Sequence, residues 1–280
     1  MFYANNVTRY GRTLGVSGVL FLVLVGWVQA GDKKLVLTGS STVAPLAAEI
    51  GKRFEKLNPG VQIDVQSGGS SRGVNDARVG LADIGLVSRD LKREEHDLKS
   101  YSIAYDGICI ILHRSNPVQA LTKEQIVGIY TGRLTNWKEL GGMDRKITVV
   151  NKAEGRSTLE LFLHYFGLSN SQIKAHVIVG DNEQDIKTVV GNPGAIAYVS
   201  IGTAEYDQGQ NLPIKLLPMD GVAASSANVK NRSFPLMRVL NLVTKAQPVG
   251  MTKQFIEFAR SETVYDLVKE QYFVPIAATK

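Results

Sequence analysis

One local pattern constrains this chain more than any other: a short apolar strand, a turn of small hydroxyl residues and glycine, and then a helix, three times over. The first copy reads Leu35-Val36-Leu37, then Thr38-Gly39-Ser40-Ser41-Thr42, then Pro45 and apolar residues at helical spacing, Ala47, Ile50, Phe54 and Leu57. Proline suits a first helical turn because its missing N–H would have had no partner there. The second copy has alternating Val61, Ile63 and Val65, the turn Ser67-Gly68-Gly69-Ser70-Ser71-Arg72-Gly73, and a short helix predicted from Val74 to about Val79. The third has a strand at Ile147 to Val150, a loop from Asn151 to Thr158, and a helix with Leu159, Phe162, Leu163 and Phe166 on one face, stopped by Gly167.

The remaining elements fit the same scheme. Ala82 to Val87 reads as a buried strand ending at Ser88-Arg89, and further strands are expected at Ile108 to Leu112, Ala195 to Val199 and Leu236 to Val243. Helices are expected from Lys123 to Tyr130 and, in segments, from Lys253 to about Gln271, and a turn at Gly141-Gly142. Strands alternating with helices predict an α/β protein with largely parallel sheets, and at 280 residues two sheets rather than one. In open α/β sheets ligands sit at the carboxyl ends of strands, where all of these polar turns lie.

Such turns have a definite chemistry. A helix N-terminus offers unpaired N–H groups and about half a positive charge, so it receives an oxyanion without a full countercharge. A dehydrated anion bound at micromolar strength needs about six to ten donors, since each contributes about 1.5–3 kcal/mol against a desolvation cost of several. Taken singly, each turn is also an ordinary N-cap. Three of one make, with Arg72, Lys152 and Arg156 in or beside them, point to a shared anion site, and Glu154 is expected to pair with Lys152 and hold it in place.

Composition narrows the alternatives. With 44% hydrophobic residues the chain can fill a core, which excludes disorder, and 32 basic against 26 acidic residues give +6 without a run long enough to hold nucleic acid. The single cysteine, Cys109, reads as a core residue and forms no disulfide within the chain. The four histidines, His96, His113, His164 and His176, are not at metal-ligand spacing, and each reads as structural. Nucleophile-elbow, Walker and dinucleotide motifs are missing, so no cofactor, no metal and no enzymatic activity are expected.

Residues 1–30 differ from the rest. Arg9 and Arg12 precede thirteen apolar-rich residues from Val16 to Val28, followed by Gln29 and Ala30. That is shorter than the about 20 residues of a spanning helix and reads as a signal peptide cleaved after Ala30, predicting a periplasmic, secreted protein. With no cysteine at the cleavage point, a lipid anchor is not expected, and the mature chain keeps a charge of +4.

The ordered set of motifs resembles the phosphate-binding proteins of phosphate ABC transporters, the PstS-type periplasmic receptors. It comprises Thr38-Gly-Ser-Ser-Thr-Val-Ala-Pro45, Gly68-Gly-Ser-Ser-Arg-Gly73, Ala82-Asp-Ile-Gly85 and Asp106-Gly-Ile-Cys-Ile-Ile111. It continues through Ile129-Tyr-Thr-Gly-Arg-Leu-Thr-Asn-Trp-Lys-Glu-Leu-Gly-Gly142, Gly194-Ala-Ile-Ala-Tyr-Val-Ser200 and Phe234-Pro-Leu-Met237. The resemblance implies a two-lobed periplasmic binding fold of type II, each lobe a mixed, mostly parallel sheet flanked by helices. It places residues 31–112 and 231–280 in a discontinuous first lobe and 113–230 in the second.

By the same resemblance Ser41, Thr42, Ser70, Ser88, Lys152, Arg156, Ser157 and Thr158 would bind phosphate. Three positions depart from the family pattern: Lys152 stands where an arginine is usual, with Arg156 in place of a serine. Ser88 replaces an aspartate that accepts the phosphate proton, which weakens the expected rejection of sulfate or arsenate. The implied function is a receptor, acting as a monomer, that captures inorganic phosphate and delivers it to membrane permease subunits of an ABC transporter, with no nucleic-acid partner. The alternatives are a receptor for another tetrahedral oxyanion, a secreted phosphate-ester hydrolase using Ser41 or Ser70, and an exported interaction protein that has lost its ligand.

Overall fold

The computed structural model describes residues 33–276; the signal-peptide reading of residues 1–30 lies outside the described residues. The first two strand–turn–helix units are β1 (Lys33–Gly39), α1 (Ala44–Leu57), β2 (Val61–Ser67) and α2 (Ser70–Val79), followed by β3 (Ile84–Val87) and the long β4 (Lys99–His113). Then come α3 (Lys123–Tyr130), β5 (Thr148–Lys152), α4 (Ser157–Phe166), β6 (Val177–Val179), α5 (Asn182–Gly191), β7 (Ala195–Ser200), α6 (Ile201–Gly209) and β8 (Ile214–Leu216). The chain returns through α7 (Ser226–Lys230), β9 (Met237–Thr244), α8 (Gly250–Ala259), α9 (Tyr265–Glu270) and β10 (Val274–Pro275).

The strands run in the order β2-β1-β3-β9-β4-β7-β5-β6, with β8 and β10 also on β4. β1 is parallel to β2 and β3, and β5 is parallel to β6 and β7, so each strand–turn–helix unit sits in a parallel set. β4 and β9 run antiparallel to their neighbours and join the two sets. β4 pairs with β9 as far as Gly107 and with β7 from Ile108 onward. One strand therefore belongs to both halves of the molecule.

Burial divides at the same place. One apolar core takes Leu35, Leu37, Ile50, Phe54, Leu86, Ala104, Leu240 and Phe255; the other takes Ile108, Ile111, Trp137, Phe162, Ile196, Tyr198 and Phe234. In the second core Tyr198 and Phe162 stack at 4.0 Å and 11°, burying the apolar face of α4 expected from its spacing. Cys109 is fully buried there, as its apolar run implies. Removing each large side chain of this kind from water contributes about 1.5–3 kcal/mol.

Several element limits differ from the sequence reading. α2 begins at Ser70 rather than Val74, because Gly69, at φ 97°, turns the chain straight into the helix. β4 starts nine residues before Ile108, its first half being polar enough to hide the strand pattern yet held by pairing with β9. The segment from Lys253 to Gln271 is broken around Arg260 and Ser261 into α8, a short 3-10 turn and α9. Among the described residues no helix is long and apolar enough to cross a membrane.

Candidate functional site

The loop after β1, the start of α2, the end of β3 and the loop from β5 into α4 converge on one small cavity. Its lining is Ser40, Ser41, Thr42, Gly69, Ser70, Ser88, Lys152, Arg156, Ser157 and Thr158. All eight residues nominated from the sequence are brought together, with Ser40 and Gly69 in addition. No carboxylate belongs to the lining, and three helices, α1, α2 and α4, begin at or beside it.

Backbone fit makes this convergence possible. A Cβ on Gly39, whose φ is 137°, would stand 2.3 Å from the Leu86 carbonyl oxygen and 2.9 Å from the Gly73 Cα. A Cβ on Gly69 would meet the Gly155 carbonyl oxygen at 2.7 Å. Only glycine allows the loops to approach this closely. Across the same gap the Ser71 N–H donates to the Gly155 carbonyl at 3.2 Å.

The hydroxyls form a connected set. Ser40 Oγ accepts from the N–H groups of Thr42 and Val43 at 3.2 and 3.3 Å and donates to Ser88 Oγ at 2.9 Å. Ser70 Oγ accepts from the Ser88 N–H at 3.1 Å and donates to Ser157 Oγ at 3.0 Å. Ser88 Oγ and Ser157 Oγ lie 2.5 Å apart. The buried polar groups on this wall are thus held by one another and by helix termini, as buried polar groups must be.

The cations behave differently from one another. Lys152 does not pair with Glu154, as the sequence suggested; its Nζ is bound to Asp185 on α5, and Glu154 instead accepts from Asn170 Nδ2 at 3.0 Å. The reason is position: Lys152 ends a buried strand and points inward, while Glu154 lies on the exposed loop. Burial lowers the Lys152 pKa against the opposing pull of Asp185, and burial pushes the Asp185 carboxyl up to about 6 against the pull of Lys152. The Arg156 side chain lines the cavity and has no hydrogen-bond or ion-pair partner among the described residues. Arg72, read from the sequence as part of the second turn's charge, stays outside, bound to Asp76, Gln66 and the Ser67 carbonyl.

Arg238 on β9 was missed. It donates to Asp106 at 2.8 Å, to Thr158 Oγ1 at 2.9 Å, to Thr42 Oγ1 at 3.1 Å and to Ser88 Oγ at 3.4 Å, so it lies directly behind the cavity. Its signal was present: a single arginine in an apolar strand requires a buried partner, and Asp106 heads another apolar run. Asp185 and Asn182 were missed with the whole of α5, whose weak apolar stripe hides it; Asn182 Nδ2 donates to Thr42 Oγ1 at 3.3 Å.

A second ion-pair set stands beside the cavity. Arg89, next to Ser88, is 2.6 Å from Glu95 and 2.9 Å from Glu160 of α4, and Lys92 reaches Glu160 at 3.2 Å. Burial works against the Arg89 charge, but Glu95 and Glu160 raise its pKa overall. Burial opposes ionisation of Glu95 too, and the Arg89 hydrogen bond outweighs it, lowering the Glu95 pKa.

The histidines lie elsewhere: His176 Nδ1 accepts from the Val149 N–H at 3.0 Å, and His113 Nδ1 is 2.7 Å from Ser115 Oγ.

The PBP superfamily domain matches residues 28–263. The phosphate-binding protein PstS of Bacillus subtilis is 30% identical over 254 residues, covering 88% of this chain and 82% of that protein. Among solved structures, a phosphate ABC transporter substrate-binding protein from Clostridium perfringens, with bound phosphate, is 35% identical with a TM-score of 0.81, covering 87% of this chain and 100% of that one. An ABC-type phosphate transport receptor from Vibrio cholerae is 28% identical with a TM-score of 0.71, again over 87% and 100% of the two chains. With its two cores, its shared strand and its cavity of convergent loops, the chain belongs to the PBP superfamily as a PstS-type, two-lobed binding protein of type II.

Proposed function

We propose that this protein is an exported receptor that captures inorganic phosphate in the cavity between its lobes and delivers it to the permease subunits of an ABC transporter. The observation that carries this reading is the meeting of Ser41, Thr42, Ser70, Ser88, Lys152, Arg156, Ser157 and Thr158 around one cavity at three helix starts. Relatives named or solved as phosphate receptors support the choice of ligand. The action is binding and lobe closure, without a chemical step and without a cofactor.

The lobe limits proposed from the sequence, 31–112 with 231–280 and 113–230, put Ile108 to Leu112, Phe234 and Leu236 in the first lobe, whereas these residues pack in the second core, so the cores change over between Ala104 and Ile108 and between Leu236 and Leu240. The chain acts as a monomer in the periplasm after cleavage at Ala30. Calorimetry on protein unfolded, stripped of ligand and refolded tests the function: tight one-to-one phosphate binding is expected, and no binding overturns it.

A further inference from the structure

Hydrogen-bond direction around the cavity carries an inference about its ligand that rests on the function just proposed. A hydroxyl has one proton to donate and two lone pairs to accept with. Thr42 Oγ1 accepts from both Arg238 Nη2 and Asn182 Nδ2, at 3.1 and 3.3 Å, so both lone pairs are engaged. Its proton has no acceptor among the described residues and is left for the cavity.

The same counting runs along the serines. Ser40 spends its proton on Ser88, whose Oγ also accepts from Arg238 Nη1 at the longer distance of 3.4 Å. Ser88 must therefore be the donor in its 2.5 Å contact with Ser157. Ser157 Oγ then accepts from Ser70 and Ser88, and its own proton also faces the cavity without a protein acceptor. Thr158 accepts from Arg238 and keeps one lone pair. The cations Lys152 and Arg156 only donate. The nearby carboxylates, Asp106 and Asp185, face Arg238 and Lys152 and are absent from the lining.

We propose that Arg238 is a specificity-determining positioning residue: by occupying hydroxyl lone pairs it makes the inner cavity a donor surface that binds tetrahedral oxyanions through unprotonated oxygens. A ligand proton is then left to Ser41 at the outer edge, whose hydroxyl has no partner among the described residues, or to the remaining lone pairs of Ser70 and Thr158. The cavity accordingly binds sulfate as well as phosphate, because no carboxylate lines it to reward the proton phosphate carries and the acceptors left to it are neutral hydroxyls.

The test is competitive calorimetry with inorganic phosphate and sulfate on the ligand-stripped protein and on Arg238→Lys and Asn182→Ala, each checked for a native melting transition. In the wild type, sulfate is expected to bind within about tenfold of phosphate, the effect of about one charged hydrogen bond. Arg238→Lys frees lone pairs on Thr42, Ser88 and Thr158, and Asn182→Ala frees the other one on Thr42. Both should shift the affinity ratio toward phosphate by about threefold to tenfold, whereas a purely structural role would weaken both anions equally. Phosphate binding with no measurable sulfate binding, or an unchanged ratio in folded variants, overturns this inference and leaves the receptor function standing. Binding of neither anion by the wild type overturns both.

Discussion

The two walls of the cavity are built from different materials. The wall supplied by β1, α2 and β3 offers neutral hydroxyls and helix starts, Ser40, Ser41, Thr42, Ser70 and Ser88, whereas the wall supplied by β5 and α4 adds Lys152 and Arg156. Yet the charge on that second wall is only partly available, since Asp185 holds Lys152 and only Arg156 is unpaired. A cation in a binding loop is thus no measure of the field a ligand meets; what counts is whether a buried counter-ion already answers it. Anion attraction comes from Arg156 together with the oriented N–H and O–H groups of both walls.

The largest break in this comparison is expected at the Lys152–Asp185 pair. Asp185→Leu strands a buried ammonium and should cost about 3–5 kcal/mol in denaturant unfolding, while Lys152→Met with Asp185→Leu recovers most of it. A stable Asp185→Leu single variant would show that the pair does not hold this wall. Next in size, Arg156→Ala is expected to weaken phosphate binding at least about tenfold, since a charged donor is lost from a sheltered site. Arg72→Ala, outside the cavity, should leave affinity unchanged, and equal losses in a titration of the two variants would erase the distinction drawn between them.

The smallest expected effect concerns the ion-pair set beside the cavity. The Glu95 pKa is lowered in the folded protein, so its pairing with Arg89 contributes fully above the ordinary glutamate range and is lost as pH falls through that range and below. Thermal melts from neutral to acid pH should therefore show a steeper loss of stability in the wild type than in Glu95→Gln. Parallel curves would mean that Glu95 titrates alike in both states.

Much of this architecture could be read before any coordinates. The Lys123 to Tyr130 helix is found where it was expected, its Thr122 cap and Gln125 forming a reciprocal pair, and Gly167 ends α4 in the left-handed conformation. Local signals of that kind act within a few residues, which is why they survive in a single sequence. α5 and the first half of β4 escaped because their stability comes from neighbours: α5 packs on β7, and β4 is held by β9, more than a hundred residues away. The partner of Lys152 was misjudged for the same reason, since Glu154 is nearer in sequence and Asp185 nearer in space.

By itself the sequence determined the strand–turn–helix units, the hydroxyl-rich turns at their helix starts, and eight residues that share one cavity. Tertiary structure alone decided which charges remain available there. Arg238 and Asp106 lie on different strands, and only the pairing of β4 with β9 brings them together behind Thr42, Ser88 and Thr158. Turn chemistry is local and written in adjacent residues, whereas neutralising a buried charge and orienting a hydroxyl depend on groups that meet only when the chain has closed on itself.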